Sequence, residues 1–218
     1  MISRVNRFNW DRWDFVGGIL FSALFIISLA IAGEAGDTPR EVQRFYTDEG
    51  NRGQQFFSYF LFLAGILAFL WFLSALRILL LRAEGEPARL TALAFGSGLV
   101  AATMFLGAIS LFVASAGVAD DDDFRFNPNT ANFVMTAGYG FFVAGVVVAA
   151  LFVLATSLVA LRTRFLPVWL AWLGFPVALS MFFAIFFWPV FLFLAWIFLV
   201  SVVLVAWRWI GPRPTAAA

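Results

Sequence analysis

LPVWLAWLGFPVALSMFFAIFFWPVFLFLAWIFLVSVVLVAWRWI, residues 166–210, carries no acidic side chain and one basic one, Arg208. As one helix its 45 residues would be ~67 Å long, about twice the ~30 Å hydrocarbon layer of a bilayer. The stretch must turn back on itself. Pro189 after Trp188 marks the break, because proline suits the first turn of a new helix and disfavours helix at the residue before it. Pro176 is the rival break, and there we expect a kink within the fifth helix. The reading gives two spans, at about 166–187 and 189–210.

The same test applied upstream finds spans at about 15–32, 56–81, 90–117 and 129–161. The chain is thus expected to be all-α: one transmembrane helical bundle of about six spans over residues 1–218. Composition agrees. Of the 218 residues, 63% are hydrophobic and 12% charged, against about 25% charged in a soluble domain. The run 15–32 ends in Ala30-Ile31-Ala32, a signal-cleavage pattern. It is longer than the ~7–15 residues of a signal-peptide core, so we expect a retained span.

Absences narrow the chemistry. The chain has no Cys and no His, and no Lys, so all 14 basic residues are Arg. Thiolate chemistry, imidazole bases, imidazole metal ligands and Schiff bases are excluded. We expect no catalytic residue, no metal site and no cofactor. Ionisable groups inside spans usually mark ion or proton paths. Here only Arg77 qualifies, at a span end where it can snorkel.

The arginines orient the bundle. Arg4, Arg7, Arg12, Arg77, Arg82, Arg89, Arg162, Arg164, Arg208 and Arg213 fall on one side. Arg40, Arg44, Arg52 and Arg125 fall on the other, with nine of the 13 acids. Both termini are therefore expected in the cytoplasm. Trp10, Trp13, Trp169, Trp172, Trp207 and Trp209 would form an aromatic belt at that interface.

Two outer loops stand out. In the first, Thr38 with Glu41 fits a capping box and Pro39 a first helical position. Val42, Phe45 and Tyr46 then share one face, so an amphipathic helix is expected at about 39–48, on the outer surface. It would cover the ends of neighbouring spans or act as a lid. The second loop holds Asp120 to Asp123 and ends at Asn127-Pro128, a helix start. Calcium loops space their ligands alternately and add a distal Glu. A consecutive run lacks that spacing, so we read a solvated acidic turn.

Inside the spans, Gly98 and Ala102, Thr103 and Gly107, Gly140 and Ala144, and Gly18 and Ser22 are small residues four apart, which favours close helix approach. Gly138-Tyr139-Gly140 lacks the Thr-Val of a potassium filter. A cavity at the midplane would be walled by Thr103, Ser110, Thr136 and Tyr139.

NRFNWDRW (6–13), TPREVQRFY (38–46), FLWFLSALR (69–77), NPNTANF (127–133) and ALRTRFLPVWLAWLGF (160–175) resemble segments of uncharacterised six-span integral membrane proteins of actinobacteria. The resemblance implies this topology and a bacterial cytoplasmic membrane, and supplies no active site. The expected function is non-enzymatic binding of lipid, a hydrophobic ligand or a membrane partner. The alternative is a permease or channel for a neutral or apolar solute. Expected partners are membrane lipids, with a membrane protein or a second copy of the chain, and no nucleic acid.

Overall fold

The computed structural model describes residues 14–36, 38–121 and 125–210, with side chains as far as Trp207. The expectations for Arg4, Arg7, Arg12, Trp10, Trp13, Asp37, Asp122, Asp123 and Arg213, and for the side chains of Arg208 and Trp209, lie outside it.

Among the described residues there are seven α-helices and no strand: α1 Val16–Ala32, α2 Pro39–Thr47, α3 Glu49–Glu84, α4 Arg89–Ala119, α5 Pro128–Thr163, α6 Val168–Met181 and α7 Pro189–Ile210. Helices α3, α4, α5 and α7 are long and apolar enough to cross a membrane. Helix α1, with 17 residues, is shorter. Helix α6 has 14 residues, or ~21 Å, less than the ~30 Å of the hydrocarbon layer. The α-helix therefore occupies only part of the stretch 166–187 in which a span was expected. The helix stops at Met181, and the chain tightens into turns and a 3₁₀ segment, Ala184–Phe186. It then restarts at Pro189, where proline was read as a first-turn residue.

Six helices close a ring in the order α1, α3, α4, α5, α6, α7 and back to α1. The ring is filled by rings: Phe21 against Phe69, Phe25 against Phe62, Phe105 against Phe142, and Phe152 edge-on to Trp196. Edge-to-face and offset pairs suit the aromatic quadrupole. Pro176 lies inside α6, which continues past it.

Local chemistry sets the helix ends. Asp48 accepts from Asn51 N at 3.1 Å and starts α3 seven residues ahead of its apolar run. Gly85, at φ 71°, ends that helix with its N–H on Leu81 O. Glu84 receives Leu90 N, Thr91 N and Thr91 Oγ1, satisfying orphan donors at the start of α4. Asn127 caps α5 through Asn129 N at 2.9 Å, with Pro128 next, as its sequence indicates. Trp169, Trp172 and Trp207 are exposed.

Helix α2 lies across one end of the ring, against α3, α4 and α5. Its capping box is formed: Glu41 N donates to Thr38 Oγ1 at 3.3 Å, and Thr38 N to Glu41 Oε2 at 3.0 Å. Val42 and Tyr46 are buried in a small apolar cluster with Ala35, Ala116 and Ala131.

The close approach of α4 and α5 rests partly on other glycines than the spacing suggested. A Cβ on Gly138 would meet the Phe112 ring at 2.8 Å and Ala108 O at 3.1 Å, so α4 comes almost to backbone contact there. Gly107 faces Phe141, also across this seam. Gly98 instead faces Leu73 of α3, and Gly140 looks into open space.

Candidate functional site

Beneath α2 the ring is hollow. A cavity of about 240 Å³ lies between α1, α3, α4 and α5. Its wall grades along the helix axes. At the capped end stand Gly33 and Gln55, next come Ser28 and Ser58, and then Phe25, Phe62, Phe105 and Phe142. This order follows from chain direction: α3 descends from the cap through Gln55, Ser58 and Phe62 while α1 rises toward it. Among the described residues, no charged side chain lines the space.

The two serines clamp α1 to α3. Ser58 Oγ donates to Ser28 O at 2.8 Å, and Ser28 Oγ lies 3.0 Å from both Ser58 O and Ser58 Oγ. With both hydroxyl protons engaged inside the pair, little donor capacity faces the cavity. Gln55 differs: its Oε1 is buried without a hydrogen-bond partner. Such an atom keeps its desolvation cost until something donates to it.

Above the cavity sits a small polar group under α2. Burial raises the Tyr46 phenol above its ordinary pKa, and the nearby Gln55 and Ser115 side chains partly offset this. The alignment of that group is poor. The Tyr46 hydroxyl points to Met135 Sδ at 3.7 Å, and Ser115 Oγ has no well-placed partner. Arg52 holds the same end together. It donates to Tyr46 O at 2.9 Å, Thr47 O at 3.2 Å and Asp120 Oδ1 at 3.1 Å.

The floor is the turn between α6 and α7. Phe187 stacks on Phe142 with centroids 5.2 Å apart, and the Tyr139 hydroxyl donates to Ile185 O at 2.7 Å. Tyr139 is seven residues along α5 from Asn132, ~10 Å nearer the middle of the bundle. The turn therefore stops well short of the capped end. Its outward surface is wholly apolar, with Leu179, Phe182, Phe183, Ile185, Phe186 and Trp188 exposed. Its N–H groups at Phe182 and Phe183 donate to Leu179 O and Ser180 O at the end of α6, and those at Phe186, Phe187 and Trp188 to Phe183 O, Ala184 O and Phe186 O within the turn.

Of the residues expected on a cavity wall, Tyr139 lines this one. Thr103 and Thr136 stand on exposed helix faces, bonded back to Leu99 O at 3.0 Å and Asn132 O at 2.9 Å. Ser110 is likewise exposed, since the inward face of α4 runs through Phe105, Ala108 and Phe112. Gln55, Ser28 and Ser58 were not anticipated. Their signal was present, as the polar residues at the outer ends of the first two apolar runs.

Asp120 ends α4 and pairs with Arg52. Among the described residues no three acidic side chains gather into a metal-binding group. The chain matches no protein-family model, no curated protein and no solved structure, so its site is read from geometry alone.

Proposed function

We propose that this chain is a non-enzymatic integral membrane protein of the bacterial cytoplasmic membrane that binds a lipid chain or small hydrophobic molecule inside its helical ring. Both termini face the cytoplasm, and the end capped by α2 faces outward. Charge asymmetry between the loops supports the orientation. The observation that carries the binding reading is the cavity itself, apolar over most of its wall and about 240 Å³ in volume. An engineered apolar cavity of ~150 Å³ in another protein stays dry and takes benzene, so a space of this size and lining suits an apolar guest better than water. Aromatic walls with few polar groups are the usual build of small-molecule sites.

Native mass spectrometry of protein released from its own membrane tests this. A retained apolar adduct of defined mass, lost when Ala108 is replaced by Phe to fill the space, is the expected result. Bare protein under conditions that preserve bound lipid on other membrane proteins would count against it.

A further inference from the structure

Arg77 is the one charged residue within the span read at 56–81. Residues 56–76 ahead of it number 21, or ~31 Å of helix, so the run already crosses the ~30 Å hydrocarbon layer and delivers Arg77 to its far edge. Helix packing gives the same depth. Phe69 and Trp196 both meet the Phe152 ring, with centroids 5.9 and 6.0 Å away, which sets α3 and α7 level there. Both helices run on toward the arginine-rich end. Arg77 lies ~12 Å past Phe69, and Trp207 ~16 Å past Trp196. Arg77 therefore stands in the layer of Trp207, an exposed tryptophan of the expected interfacial belt.

The Arg77 guanidinium lies over the Phe95 ring of α4, 5.0 Å from its centroid. Phe95 packs against the main core, so the charge is held in place. Arg77 itself is exposed. Among the described residues no carboxylate pairs with it and no oxygen accepts from it. The ring answers part of the charge, but the five N–H donors still need acceptors. The next acid along α3, Glu84, already receives Leu90 N, Thr91 N and Thr91 Oγ1. At the same end Arg82, Arg89, Arg162 and Arg164 are exposed too, and among the described residues none lies within ion-pair distance of an acid.

We propose that Arg77 and Phe95 form a site for the phosphate of an anionic phospholipid in the leaflet at the arginine-rich end, with its acyl chains running down the groove between α3 and α4. This stands apart from the cavity reading, for the site is on the outside of the ring and at its other end. Three features specify the occupant. A planar guanidinium fork with unused donors matches two phosphate oxygens. Toward the bilayer centre the Arg77 edge of α3 continues through Ser74 and Leu70, and the Phe95 edge of α4 through Leu99, an uncharged surface for acyl chains. A soluble anion would have no use for that surface. Finally, residues 77–89 and 162–164 carry five arginines against Glu84 and Glu86, a positive excess that favours an anionic headgroup over a zwitterionic one.

The test uses the full-length protein, delipidated in a neutral detergent. Dioleoyl phosphatidylglycerol, dioleoyl phosphatidylcholine or dioleoylglycerol is added in turn, and bound lipid is counted by native mass spectrometry. The first phosphatidylglycerol should bind about fivefold tighter than phosphatidylcholine, with dioleoylglycerol weakest. Arg77→Gln should weaken that first phosphatidylglycerol about tenfold, the ratio for one charge-assisted hydrogen bond. Arg82→Gln makes the same charge change ~140° around α3 and should weaken it by less than about twofold. Phe95→Leu keeps every charge and should still weaken it about threefold. Melting temperatures without lipid, expected equal in the two arginine variants, show that a loss is of binding and not of fold. Equal affinity for phosphatidylglycerol and phosphatidylcholine, equal losses in Arg77→Gln and Arg82→Gln, or an unchanged affinity in Phe95→Leu would each overturn the site. None of these outcomes touches the cavity reading, whose own adduct is the one lost on filling the space at Ala108.

Discussion

Ser28 and Ser58 show how a single hydroxyl matters inside an apolar ring. Each contributes a donor to the backbone of the other's helix. Hydrogen bonds between membrane helices are worth ~0.6–2 kcal/mol, and no more, because the unfolded chain in lipid also finds partners. Ser28→Ala and Ser58→Ala should each cost about 1 kcal/mol, and the double variant less than the summed singles, because either change already breaks the pair. Reversible unfolding in mixed micelles measures this. Strict additivity would mean that the serines act independently.

Tyr46 sets a pH limit on the cap that α2 forms. Its folded pKa lies above that of an exposed phenol, mainly through burial. The neutral phenol therefore stabilises the fold at every pH below about 10, and that contribution is lost as pH rises through the higher folded value. Melting temperature should hold level to about pH 9.5 and then fall, and the fall should be shallower in Tyr46→Phe. Identical profiles for the two proteins would show that the phenol does not report on the cap.

At the scale of elements, the contact between α4 and α5 separates two glycines that look alike in sequence. Gly138 has the Phe112 ring and Ala108 O against it, while Gly140 has nothing within reach. Gly138→Leu should lower the melting temperature sharply or abolish folding, since interiors do not yield to several added carbons. Gly140→Leu should be neutral or mildly stabilising, because leucine is the better helix former and the site is open. Equal effects would contradict the register of α4 on α5. The ion pair between α3 and α4 is similarly lopsided. Asp120 is exposed, so Asp120→Asn should cost less than about 1 kcal/mol. Arg52→Ala should cost more, for it also strands the carbonyls of Tyr46 and Thr47 at the end of α2.

The helix starts were legible because a cap is a local event. Thr38 with Glu41 and Asn127 with Pro128 need only a few neighbouring residues, and all behave as their spacing indicates. The cavity wall was less so. Thr103, Ser110 and Thr136 were reasonable candidates as hydroxyls in apolar runs. Nothing in an apolar run with small residues all round tells which face turns inward. Tyr139 lines the cavity because its ring reaches the α6–α7 turn, a partner 46 residues away.

For the whole molecule the sharpest consequence concerns depth. The chain has no cysteine, so single cysteines can be introduced without background. In intact cells a membrane-impermeant thiol reagent should modify Glu34→Cys, next to the exposed loop before α2, and leave Ile185→Cys unmodified until detergent is added. Equal rapid labelling of both would place the α6–α7 turn in water. Ile185 is 66% exposed on the protein surface, so protection there would come from lipid.

The sequence by itself determined that the molecule is a bundle of apolar helices with capped ends and little charge between them. Those properties depend on residue type and on contacts a few residues apart. Three things were left to the tertiary structure: how far α6 runs, which faces meet, and where the ring is hollow. An apolar residue has the same transfer energy whether it touches lipid or a neighbouring helix, so hydropathy cannot tell Phe142 on the cavity wall from Phe133 on the outside. Only the packing of six helices around one another, with one hairpin stopping short, separates the two and leaves the space beneath α2 unfilled.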